Sequence, residues 1–128
     1  MTSECPELER FVRGEIDAAA FPHREHVRLA FEMLRRHDFA ESVWLYSRAL
    51  RTLTTRAGRP QAFHQTMTVA LLALIAERMA GGGHADFVLF EHAYPDLFEK
   101  QVLAPWYHPE QLASDVARRI FVLPPRTP

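Results

Sequence analysis

Cysteine occurs once in the 128 residues, at Cys5, so no disulfide can close within the chain and a zinc site built from several thiolates is excluded. A reducing, cytoplasmic setting is expected. Neither sign of charge dominates: 15 basic residues against 16 acidic leave a net charge of −1, without the positive field of a nucleic-acid binder. Lysine is nearly absent too, since Lys100 is the one lysine and every other basic residue is arginine. The longest apolar run, VALLALIA at 69–76, falls far short of the roughly 20 residues that span a bilayer. The opening MTSECPELERF has no basic stretch followed by an apolar one, so an unprocessed protein off the membrane is expected. Strand-like alternation, internal repeats and low-complexity tracts are missing. The glycines of GGGH at 81–84 lack the Lys and Ser/Thr of a phosphate loop, and no nucleophile elbow or EF-hand loop occurs.

What is present is helical periodicity. Pro6 to Arg13 reads as a short helix, with proline near its start and Gly14 past its end. After Pro22, the spacing of Val27, Ala30, Phe31 and Leu34 predicts a second helix to about Arg36. A third runs from Ala40 to Ala57 on the stripe Val43, Tyr46, Leu50 and Leu53, stopped by Gly58 and Pro60. A fourth, Ala62 to Met79, is apolar on nearly all sides and is expected to be the most buried. Shorter helices follow at Asp86–His92, 109–113 and 115–121. The fold class is all-α: a single-domain helical bundle over residues 1–128 with short additional C-terminal helices and a Pro-rich tail at 124–128.

Short links favour antiparallel neighbours, so the second, third and fourth helices should run up, down and up. The histidines near the starts of the second and fourth, His23 and His26 in FPHREHV and His64 in FHQTMT, then arrive at one end of the bundle. Residues three apart share a helix face, and a third imidazole from a neighbour completes a set of the kind that binds zinc, copper or iron. An opposing consideration is the partial positive charge of two helix N-termini, which disfavours a cation, keeps imidazoles neutral and attracts anions. Neutral histidines working as acid and base on a small anion form the second model. The plain structural account makes each histidine a half-buried helix-end residue with a hydrogen-bonded ring. His37, His84, His92 and His108 are expected at the surface. Trp44, Tyr46, Phe87, Phe90 and Phe98 are expected in the core. Arg48, Arg51, Arg56 and Arg59 read as a solvated face.

Three stretches, FPHREHVRLAFEML at 21–34, FHQTMT at 63–68 and YHPEQLASDVARRIFVLP at 107–124, together resemble a widespread family of small uncharacterised bacterial helical proteins. The resemblance covers about residues 20–124 and implies shared architecture, with no activity to lend. It carries His23, His26, His64, Thr66 and Thr68 onto the family's pattern. Phe63 stands where the family commonly has Tyr, and Gln65 where it commonly has Glu, a change that keeps hydrogen bonding and removes a proton acceptor.

These features favour a metal-dependent enzyme of unknown reaction, a hydrolase, lyase or oxygen-using enzyme acting on a small polar substrate. His23, His26 and His64 are its expected ligands to a divalent metal, zinc, copper or iron; His64 is also the expected catalytic residue, and Gln65 and Thr68 the substrate-orienting groups. The alternative is a metal-free helical module that binds a small anion or a protein partner through the same end.

Overall fold

The computed structural model describes residues 5–82 and 84–125, and every regular element among them is helical. Gly83, the last of the three glycines, and the end of the Pro-rich tail lie outside the described residues. Seven α-helices occur among the described residues: α1 Pro6–Val12, α2 His23–Arg36, α3 Phe39–Arg56, α4 Gln65–Ala80, α5 Phe87–Ala93, α6 Pro109–Leu112 and α7 Asp115–Arg119. Short 3₁₀ turns lie at Ala18–Ala20, Pro60–Ala62 and Pro95–Phe98. No described helix is long and apolar enough to cross a membrane.

The helix starts are set by local chemistry. Asp38, Asp86 and Ser114 accept the backbone N–H three residues on at 2.8, 3.0 and 3.1 Å, capping α3, α5 and α7. The apolar pattern points to a start for α4 at Ala62, yet the helix begins at Gln65. Pro60–Ala62 closes a 3₁₀ turn first, Phe63 is extended, and His64 is the capping residue. The end of α3 is closed by Gly58 at φ +74°, whose N–H donates to Thr55 O at 3.0 Å while Arg59 N–H donates to Thr54 O at 2.8 Å. This left-handed glycine cap turns the chain so that Arg59 leaves the helix toward the bundle end.

Helices α2, α3 and α4 pack against one another, α1 lies across α2 and α3, α7 covers α4, and α5 with the turn after it rests on α2. The most deeply buried helix is α2 and not α4: Val27, Leu29, Ala30, Phe31 and Met33 are at most 1% exposed. On α4 the fully covered stripe is Leu72, Leu74 and Ile75 with two threonines, Thr66 and Thr68, while Val69, Ala70 and Ala73 are half-buried. Among the expected core aromatics, Tyr46, Phe87 and Phe90 are buried and Phe98 half-buried, whereas Trp44 is 56% exposed, with the Arg48 guanidinium 4.6 Å over its ring.

Candidate functional site

One end of the bundle opens into a pocket of about 380 Å³, lined in part by His23, His26 and His64. The starts of α2 and α4 and the end of α3 therefore meet, as an up, down, up arrangement requires. The floor is apolar and buried, formed by Ala30, Tyr46, Leu50, Leu53 and Leu72. The rim is exposed and includes Ala18, Ala57, Ala62, Arg59 and Lys100.

The histidines reach this end with different tasks. The His64 ring is buried; its Nδ1 accepts the Met67 N–H at 3.1 Å and caps α4. Its Nε2 lies 2.7 Å from Leu112 O and, facing a carbonyl, must carry the proton and donate it. Both ring nitrogens are thus engaged by backbone, and the tautomer is fixed as Nε2–H. His23 likewise donates from Nε2 to Leu97 O at 2.9 Å, tying the start of α2 to the turn after α5. The His26 ring stacks on Phe21, centroids 4.1 Å apart, and lies 6.4 Å from the His23 ring. Burial, with the neighbouring His23 adding to it and the Phe21 backbone opposing it, pushes His26 down to about 4, so the ring is neutral at pH 7.

This geometry overturns the three-histidine metal centre. Among the described residues, no group of three or more His, Cys, Asp or Glu side chains is placed to hold a metal ion. The physical reason is lone-pair use: a ligand histidine offers an unprotonated nitrogen to the metal, and the His64 nitrogen without a proton is occupied by the Met67 N–H. Carboxylates do not fill the gap, since no Asp or Glu among the described residues lines the pocket. The expectation of a zinc, copper or iron cofactor falls with the site, as does the metal-dependent hydrolase, lyase or oxygen-using enzyme built on it.

The two expected orienting groups are also placed. Thr68 lines the pocket, but its hydroxyl donates to His64 O at 2.7 Å. Gln65 sits outside the pocket lining, donating to Ser47 Oγ at 3.2 Å and accepting from Arg51 at 3.1 Å, which joins α4 to α3. Thr66 is fully buried; its hydroxyl donates to Ile120 O at 2.7 Å and accepts from Val122 N–H at 3.0 Å, clamping the extended segment after α7.

Sequence reasoning missed the pocket's charged groups. Arg59 belongs to a set read as a solvated face, and Lys100 lies in a segment without periodicity. The usable signal for Lys100 was its being the one lysine; for Arg59 it was its position immediately after a glycine cap. Arg59 and Lys100 make no ion pair or side-chain hydrogen bond among the described residues. His84, expected at the surface, is instead half-buried with Nε2 3.1 Å from the Tyr94 hydroxyl. Comparison of the chain with family models, curated proteins and solved structures gives no match.

Proposed function

We propose that this protein is a metal-free helical binding module that takes up a small anion in the pocket at the histidine end. The observation that carries it is the charge pattern of the lining: two cations, Arg59 and Lys100, stand on the rim, and no carboxylate among the described residues lines the pocket. His26 stays uncharged at neutral pH and so contributes no positive charge of its own beneath the Arg59 and Lys100 rim. An anion meets complementary charge at the mouth, while a cation is opposed there. A cytoplasmic setting, and kinship with the helical family resembled by the three sequence blocks, belong to the same proposal.

The test is a two-dimensional amide NMR titration at pH 7 with acetate, benzoate, inorganic phosphate and, as the opposite charge, ammonium. Anion-induced shifts centred on His26, Arg59, Phe63 and Lys100 are expected, and they should fade in an Arg59→Gln, Lys100→Gln double variant. Shifts from no anion, or equal shifts from ammonium, would remove the proposal.

A further inference from the structure

Resting on the anion-binding proposal, we infer that the ligand is a hydrophobic monocarboxylate, held with its carboxylate at Arg59 and Lys100 and its hydrocarbon body against the buried floor. The two halves of the pocket differ in kind. Its interior surface comes from Ala30, Leu50, Leu53, Leu71 and Leu72, which offer no polar group, and the Tyr46 hydroxyl is turned to the His26 carbonyl at 2.8 Å. Thr68 on α4 and the capping His64 before it, both in the lining, spend their hydrogen bonds on backbone. A fully hydrated anion such as phosphate would lose water on entering, while the Thr54 and Thr68 hydroxyls and the His23 and His64 N–H groups of the described lining are already committed to backbone carbonyls. An amphipathic acid leaves its charge on the exposed rim and removes only hydrocarbon from water.

The volume bounds the size of the buried part. At the roughly 30 Å³ that one water-sized group occupies, about 380 Å³ holds on the order of a dozen non-hydrogen atoms. That corresponds to a straight-chain acid of about eight to twelve carbons or a two-ring aromatic acid. Each added methylene should tighten binding roughly fourfold, the equivalent of about 0.8 kcal/mol, until the pocket is full.

The experiment is calorimetric titration of the full chain with hexanoate, octanoate, decanoate and tetradecanoate, each compared with 1-octanol, acetate and inorganic phosphate. The expected result is affinity that climbs from hexanoate to decanoate and then levels, with octanoate binding about tenfold more tightly than octanol. That preference should disappear in Arg59→Gln, Lys100→Gln, where both substitutions are on the exposed rim. Ala62→Trp, also on the rim, should block octanoate while leaving the melting temperature near that of the parent. Acetate or phosphate binding as tightly as octanoate would overturn the hydrophobic acid while leaving the small-anion proposal standing. Octanol matching octanoate, or unchanged octanoate binding in Ala62→Trp, would overturn the assignment of the site. Silence from every anion would overturn both proposals together.

Discussion

Replacing His64 separates a helix-start residue from a chemical one. In His64→Ala the α4 cap is lost, which costs about 1 kcal/mol, and the donor to Leu112 O is lost, which costs about 1 kcal/mol more before any loss of ring packing. The total is about 2–3 kcal/mol, or a fall in melting temperature of roughly 8–12 °C for a domain of this size. His64→Asn behaves differently because asparagine is among the best capping residues: its side-chain oxygen can accept the Met67 N–H, but it cannot reach Leu112 O. Its expected cost is about 1 kcal/mol, a fall of roughly 3–5 °C. Guanidinium unfolding of the three proteins followed by circular dichroism measures both numbers. An alanine variant within about 0.5 kcal/mol of the parent, or an asparagine variant as unstable as alanine, would refute the assignment of the ring to capping.

His26 should make stability depend on acid. Its folded-state value of about 4 lies below the ordinary 6.5, so as pH falls the unfolded chain takes up this proton first; the contribution is complete above about pH 6.5 and lost between there and about pH 4, to a total of about 3 kcal/mol. His26→Phe keeps the stack on Phe21 and should flatten that part of the urea-midpoint profile; an unchanged slope would contradict it. Thr66→Val preserves shape but strips partners from Ile120 O and Val122 N–H, so a loss of about 2–3 kcal/mol and faster hydrogen exchange at the Val122 amide are expected. Full protection of that amide in the variant would count against the clamp. Dialysis against a chelator should leave the melting temperature unchanged, and added zinc should not raise it; a zinc-dependent rise that vanishes in His64→Ala would reinstate the metal centre.

The sequence made the long helices legible because α2 and α3 carry their apolar residues at helical spacing, and the short links joining α2, α3 and α4 made their shared end inferable. It misled where a side chain's partner lies far along the chain. His64 looked like a ligand because its bonding to Met67 is unusual for a capping residue and its bond to Leu112 spans 48 positions. Trp44 was expected inside on residue type alone, yet it lies two positions before Tyr46, about 200° around the helix from the buried stripe. The segment carrying Lys100 gave no warning of its place at the pocket, since turns without periodicity leave nothing for pattern reading to grip.

The first turn of α4 is where distant parts of the chain are fastened: His64 holds Leu112, and Thr66 holds Ile120 and Val122, 54 and 56 positions away. During synthesis, α2, α3 and α4 can therefore come together well before the groups that satisfy α4's opening turn have left the ribosome. One wall of the pocket is laid down early and secured late. In that interval the mutual packing of α2, α3 and α4 holds the nascent bundle, and the His64 N–H and Thr66 hydroxyl have yet to meet their partners on Leu112, Ile120 and Val122.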